Sequence, residues 1–192
     1  MLILSVCVVV LGLITFLLRS TRKIKLKADG KCVMITGCDS GVGLSLAIFS
    51  QSLGFHVVAT CLDTSSNGAR LMQEKYPLIL VLKMDVTSPD DVKETKERVS
   101  AYLRQTQSQL WGLVNNAGVL IYGQFDWQTE SQIINQIQVN LIGVMRVTKE
   151  FLPFIRTAKG TIQNYIPYES YYYPTWMITF LYAKSICLVA EP

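Results

Sequence analysis

Apolar positions dominate the start of the chain. Residues 2–18 are apolar or small except Ser5 and Thr15, a run of about 17 that reaches the lower limit for a helix spanning the hydrocarbon core. Beyond Arg19 the pattern changes to short apolar runs separated by amphipathic stretches. Residues 32–35 form one such run, ending at Thr36-Gly37, and 41–52 then reads as a helix with Leu44, Ala47, Ile48 and Leu53 on one side. The alternation repeats with a strand at 55–61, a helix at 65–76, a strand at 78–84 and a polar helix at 89–105 that Ser88 would cap. A fourth strand covers 110–114. After a loop through Gly123, a long helix runs over 130–151, which Pro153 helps to close, and 161–166 is a fifth strand.

Strands separated by helices need crossover connections, so the sheet is parallel, and uninterrupted apolar runs suit strands covered on both faces. The pattern predicts an α/β fold with a doubly wound, Rossmann-like parallel sheet over 31–192, after a membrane anchor at 1–18 and a basic juxtamembrane linker at 19–30. A total of 192 residues suits one such domain with its appendage. No charge precedes the apolar run and no small-x-small site follows it, which argues against a cleaved signal peptide. Arg19 and Arg22 follow instead, and the positive-inside rule leaves the folded part on the cytosolic side of its membrane. A run this short also fits a monotopic anchor lying in one leaflet.

The formal charge of +4 suggests nucleic acid only until it is divided along the chain. Arg19, Arg22, Lys23, Lys25, Lys27 and Lys31 lie within a few residues of one another with Asp29 alone among them, so the excess is juxtamembrane and the folded part is close to neutral. Nucleic acid is thereby excluded as a partner. Cys7, Cys32, Cys38, Cys61 and Cys187 form no C-x-x-C pair, and His56 has no cysteine at zinc-ligand spacing. No metal site is expected, and the cysteines read as buried free thiols in a reducing compartment.

Candidate chemistry begins at Thr36-Gly37-Cys38-Asp39-Ser40-Gly41-Val42-Gly43, a glycine-rich turn between a predicted strand and a predicted helix. Gly37 permits the tight turn, Gly41 lets backbone approach a pyrophosphate, and Gly43 allows the helix to pack close to the sheet, while the helix N-terminus attracts phosphate. Near the end of the second strand such a site wants an acid for the ribose hydroxyls or a base for a 2′-phosphate. Asp63 is the nearest acid, Cys61 stands where the acid is more usual, and no Arg or Lys occurs there or at Ser40. That favours NAD and leaves NADP open. As a residue alone, Asp63 reads equally as a cap for the following helix.

Together with Asp85-Val86-Thr87, Leu110-Trp111-Gly112-Leu113-Val114-Asn115-Asn116-Ala117-Gly118 and Val139-Asn140-Leu141-Ile142-Gly143, this turn makes the sequence over about residues 31–159 resemble the short-chain dehydrogenases/reductases. Within them it resembles the membrane-anchored retinol and hydroxysteroid dehydrogenases. The resemblance implies a cofactor site built from Gly37, Asp39, Ser40, Gly41, Val42, Gly43, Asp63, Asp85, Val86, Asn115, Ala117 and Gly118. Asp85 would touch the adenine and Asn115 to Gly118 would steady the central strand and line the site. Asn140 and Lys184 would be catalytic, with Lys184 also holding the ribose. The implied activity is NAD(P)-dependent interconversion of a hydrophobic alcohol and its carbonyl, of retinoid or steroid class, at the endoplasmic reticulum membrane.

The end of the chain departs from this pattern. The family's proton-transfer step needs a tyrosine four residues before the lysine and a serine about a dozen before the tyrosine. Phe180 stands four before Lys184, and Pro167 and Tyr168 stand near the serine's place. Ser170 is too close to serve, Tyr182 would point to another helix face, and Tyr173 lies in an irregular Tyr-Pro stretch. The alternative reading is therefore a catalytically silent nucleotide-binding relative, or a truncated product. The sheet is expected to be incomplete at its C-terminal edge, which predicts marginal stability or a partner over the exposed surface, a second copy of the chain being one candidate.

Overall fold

In the computed structural model, which describes residues 27–121 and 125–165, the apolar runs become strands closed in from both sides. β1 (Lys31–Thr36), β2 (His56–Cys61), β3 (Ile79–Lys83), β4 (Gln109–Asn115) and β5 (Thr161–Asn164) pair in parallel in the order β3-β2-β1-β4-β5. After their first residue β1 and β2 are buried without alternation, the mark of strands with helices on both faces. The expected anchor at 2–18, most of the basic linker, and Phe180 and Lys184 lie outside the described residues. Among the described residues no helix is long and apolar enough to cross a membrane.

Two helices cover one face. α1 (Gly41–Ser52) and α2 (Asn67–Lys75) bring Ala47, Ala69 and Met72 against Val33, Ile35, Val57 and Ala59. α3 (Pro89–Thr106) and α5 (Val144–Thr157) cover the other, where Val99, Leu103, Val147 and Phe151 meet Met34, Val58, Leu82 and Leu113. Between β4 and α5 the chain forms a 3-10 turn (Phe125–Trp127), α4 (Glu130–Ile137) and a π-helical stretch (Gln138–Gly143). From β1 the chain steps outward to β2 and β3, then returns across β1 to β4 and β5. The strand order therefore reverses between β1 and β4, and a crevice opens above the C-terminal ends of that pair.

Several sequence expectations change in detail. The helix predicted over 130–151 is divided by the π-helical stretch, and Pro153 does not close it, because α5 runs on to Thr157. Val147, Phe151 and Ile155 carry the buried stripe past the proline. Both Pro153 and Lys149, whose carbonyl loses its helical donor, lie on the exposed side of the helix. Leu53, assigned to the packed side of α1, is 54% exposed. The face of α1 that is fully buried holds Gly43, Ala47 and Ser50, small residues that let the helix lie close to the strands, with Leu44 and Ile48 partly buried beside them. α2 begins at Asn67 rather than at 65 because Ser66 caps it, accepting the Ala69 amide at 3.2 Å, and β5 ends at Asn164, short of 166.

Among the described residues, Phe151 is the largest of the side chains buried beyond solvent reach. Truncating it leaves a void between α5 and the sheet that the close-packed strands cannot fill. Phe151→Ala is expected to lower unfolding free energy by about 3–5 kcal/mol, read as a fall in the denaturant midpoint with an unchanged m-value. Lys96→Ala, which breaks the half-exposed Lys96–Glu150 pair between α3 and α5, is expected to cost about 1 kcal/mol or less.

Candidate functional site

The crevice is floored by the glycine-rich turn, and its three glycines are required for three different reasons. Gly37 has φ +70°, and a Cβ there would stand 2.8 Å from the Ala117 Cα. A Cβ on Gly43 would overlap the Gly37 carbonyl oxygen and come within 2.5 Å of Asn116 Nδ2. Gly41 has φ +59°, and the space where its Cβ would lie is open to 4 Å. α1 thus starts hard against the strand ends while leaving room above its first turn.

That first turn is also electrostatically unsatisfied. Ser66, Ser88 and Thr129 cap α2, α3 and α4 through their side chains, but Ser40 makes no such bond at α1, and no acid lies in the first turn of α1. The amides opening the helix keep their partial positive charge directed into the crevice, as an anion seat requires.

The turn is locked to β4 through polar contacts. Thr36 Oγ1 accepts from the amides of Asn116 (3.1 Å) and Ala117 (3.0 Å), and Asn116 Nδ2 donates to the carbonyls of Thr36 and Gly37, both at 2.9 Å. Asn115 is buried and donates to Thr148 Oγ1 (3.0 Å) and Asn164 Oδ1 (2.9 Å), tying β4 to α5 and β5. Asn140, fully buried in the π-helical stretch, pairs its whole side-chain amide with the backbone of Val119, accepting at 2.9 Å and donating at 2.8 Å. Two residues on, the Ile121 amide donates to Gln136 Oε1 at 3.3 Å. The loop leaving β4 is therefore held open along one wall of the crevice by side-chain amides.

On the far side of β1, the turn after β3 is braced from α5. Arg146 Nη1 donates to the Val86 carbonyl at 2.7 Å, and Gly143 packs so tightly on Val86 that a Cβ would stand 2.8 Å from its Cγ2. Asp85 Oδ1 accepts from the amide and the hydroxyl of Thr87, both at 2.8 Å, while its own amide donates to Asp91 Oδ2 at 3.1 Å. The Asp85 amide, and after it the Ser88 hydroxyl, hold the Asp91 carboxyl below its usual range.

Acids cluster at the end of β2. The Asp39 carboxylate accepts from the amides of Leu62 (3.1 Å) and Asp63 (2.9 Å), so it bridges the glycine turn to the turn after β2. Asp63 is exposed, and its carboxyl is held below the usual range chiefly by the Ser65 hydroxyl. Beneath them Cys38 and Cys61 are free and buried. The Cys38 thiol donates to the Ile35 carbonyl at 3.3 Å, and burial pushes the Cys61 thiol up to about 12.

The structure thus gathers Gly37, Asp39, Ser40, Gly41, Val42, Gly43, Asp63, Asp85, Val86, Asn115, Ala117 and Gly118 around the C-terminal ends of β1 to β4, with Asn140 behind the wall. Asn115 and Asn140 spend their side chains on bracing the fold. Lys184 lies outside the described residues. Sequence reasoning gave Thr36 no role, although it opens the glycine motif, and did not single out Arg146. Thr36 had one legible signal, a hydroxyl at the last strand position before the glycine, whereas nothing local marks Arg146.

A model of the family described as short chain dehydrogenase matches residues 31–168. Among curated proteins, mitochondrial D-beta-hydroxybutyrate dehydrogenase from Rattus norvegicus is 39% identical over 140 residues, covering 71% of this chain and 41% of that protein. Dehydrogenase/reductase SDR family member 9 from Homo sapiens is 40% identical over 148 residues, covering 75% and 46%. Estradiol 17-beta-dehydrogenase 2 from Rattus norvegicus is 38% identical over 142 residues, covering 72% and 36%. The chain thus spans less than half the length of each of these relatives. A short-chain dehydrogenase from Streptomyces avermitilis has a similar fold, with a TM-score of 0.71 at 23% identity over 82% of this chain and 56% of that one.

The glycine geometry orders two substitutions. Gly43→Ala must push α1 off the strand ends and is expected to cost about 3 kcal/mol or more, by analogy with an overpacked core. Gly41→Ala meets only backbone strain, about 1–2 kcal/mol, and thermal melts of the two variants check the order. For Asp91, a folded pKa below the unfolded one means stability that is present above the unfolded value and lost as pH falls through the folded value. Asp91→Asn is therefore expected to flatten the acid limb of the stability profile below about pH 4 relative to the parent chain.

Proposed function

The chain belongs to the short-chain dehydrogenase family, and we propose that it is an NAD(P)-dependent oxidoreductase interconverting a hydrophobic alcohol and its carbonyl. The observation that carries this reading is the glycine turn, where an uncapped helix start and an open space at Gly41 meet at the strand-order reversal and leave backbone amides available to an anion.

The residues present fit a nicotinamide dinucleotide. The first amides of α1 would hold the pyrophosphate and Asp63 the ribose hydroxyls, with Asp85 and Val86 beside the adenine. Asn115 to Gly118 form the wall along the remainder, and Asn140 keeps that wall in place through Val119. When bound, the dinucleotide supplies or accepts the hydride of the alcohol–carbonyl exchange. The chain's part is to hold and orient, since Thr36, Asn116 and Asn140 are already fixed by their own hydrogen bonds and need no rearrangement.

Relatives named for hydroxybutyrate, 3beta-hydroxysteroid and estradiol dehydrogenases support an alcohol substrate. Within that class we favour a retinoid or steroid and NAD as cofactor. The apolar run at 2–18 and the basic residues after it support membrane attachment with the domain facing the cytosol, at the endoplasmic reticulum, where a bilayer would deliver such substrates. A catalytically silent dinucleotide-binding protein is the second reading, favoured by Phe180, which offers no proton four residues before Lys184.

Calorimetry on the 192-residue chain in detergent is expected to show binding of NAD, and heat from neither NAD nor NADP would overturn the cofactor reading. Phe180→Tyr separates the two functional readings. If the chain is a silent relative that kept its site, the variant is expected to raise alcohol oxidation by about 10²–10⁴-fold, followed by nicotinamide absorbance, with NAD affinity unchanged.

A further inference from the structure

We propose that Asp39 makes the crevice select a dinucleotide with a free 2′-hydroxyl over one with a 2′-phosphate, by filling with its own carboxylate the amide pair that such a phosphate would use. The proposal rests on the cofactor reading above and deepens it.

The turn that follows the second strand is where a dinucleotide site meets the adenosine ribose, with an acid for the hydroxyls or a base for a 2′-phosphate. Here the first donors beyond β2 are the amides of Leu62 and Asp63, and successive amides at a turn form a natural anion seat. Both are taken. Asp39 Oδ2 lies 3.1 Å from the Leu62 nitrogen and Oδ1 lies 2.9 Å from that of Asp63, so one carboxylate spans the pair.

Asp39 cannot easily withdraw. Gly68, at the start of α2, packs against its backbone so closely that a Cβ would overlap the Asp39 carbonyl oxygen, and the Cys38 amide beside it is held by the Thr60 carbonyl at 2.9 Å. A phosphate would have to displace a tethered carboxylate and then sit beside it and beside Asp63. A neutral ribose hydroxyl meets no such charge and can donate to an acid. The nearby cations are Arg70 and Lys83, whose charges reach Asp63, but neither side chain has a hydrogen bond to Asp39. They would supply the positive field for a phosphate once the Asp39 charge is removed.

The test is titration of the 192-residue chain with NAD and with NADP, reading the ratio of the two affinities in the parent, in Asp39→Asn and in Asp63→Asn. Asp39→Asn keeps the shape and an acceptor oxygen while removing the charge. The parent is expected to favour NAD by about tenfold or more, and Asp39→Asn to shrink that preference by about tenfold, with its NADP binding weakened by added salt. A merely structural role would lower both affinities together and leave the ratio unmoved. An unchanged ratio in a variant that still melts cooperatively overturns the proposal, as does a ratio that responds to Asp63→Asn and not to Asp39→Asn. Should Asp39→Asn fail to fold, Asp39→Ser gives the same reading. A parent chain that binds neither dinucleotide overturns the cofactor reading itself, and this proposal with it.

Discussion

The distance between the start of α1 and the end of β1 is the constraint on which the rest of the crevice depends. With the Gly37 carbonyl oxygen lying where a Gly43 side chain would have to be, the helix begins as near to the strand as two backbones permit. Asn116 sits in the same contact and donates to the carbonyls of Thr36 and Gly37. A switch-point crevice is useful only if the amides of the helix reach it, and a helix displaced by the width of one methyl group would direct them elsewhere. Each hydrogen bond in the cluster contributes about 0.5–1.5 kcal/mol net, which is modest, whereas leaving any of these buried groups unpaired costs as much or more.

Several polar side chains inside the domain fix backbone where regular pairing ends. Asn115 closes the end of β4, Asn140 and Gln136 hold alternate residues of the loop beyond it, and Arg146 holds the turn after β3. These segments have no ladder partners, and their amides and carbonyls would otherwise be buried without bonds. The π-helical stretch belongs to the same scheme. It places Asn140 against Val119 and Gly143 against Val86, so one helical irregularity serves the loops on both sides of β1.

Much of this was legible in the sequence, for reasons that differ by residue. The core strands were readable because β1 and β2 are buried on both faces and cannot be mistaken for amphipathic segments, and Ser88 was readable as a cap because capping is local. The glycine spacing announced the crevice because each glycine answers to backbone geometry within a few residues or to one close approach. Thr36 and Asn116 stand in legible motifs, but their pairing with each other was not readable, since the partners lie about eighty positions apart in the chain and meet only when β4 inserts beside β1. Pro153 misled because a proline's cost depends on whether the freed carbonyl faces water, which a helical pattern alone does not reveal. The division of labour among the three asparagines was likewise invisible, since spacing does not tell a side chain that faces a ligand from one that props a wall.

The sulfur atoms beneath the glycine turn give the domain a built-in chemical timer. Cys38 and Cys61 are sealed from solvent, and burial disfavours the thiolate of each, so maleimides and peroxide meet neither the access nor the nucleophile that they require. Alkylation there must wait for the turn to part from its strand, and its pace would record how often the nucleotide-facing edge breathes.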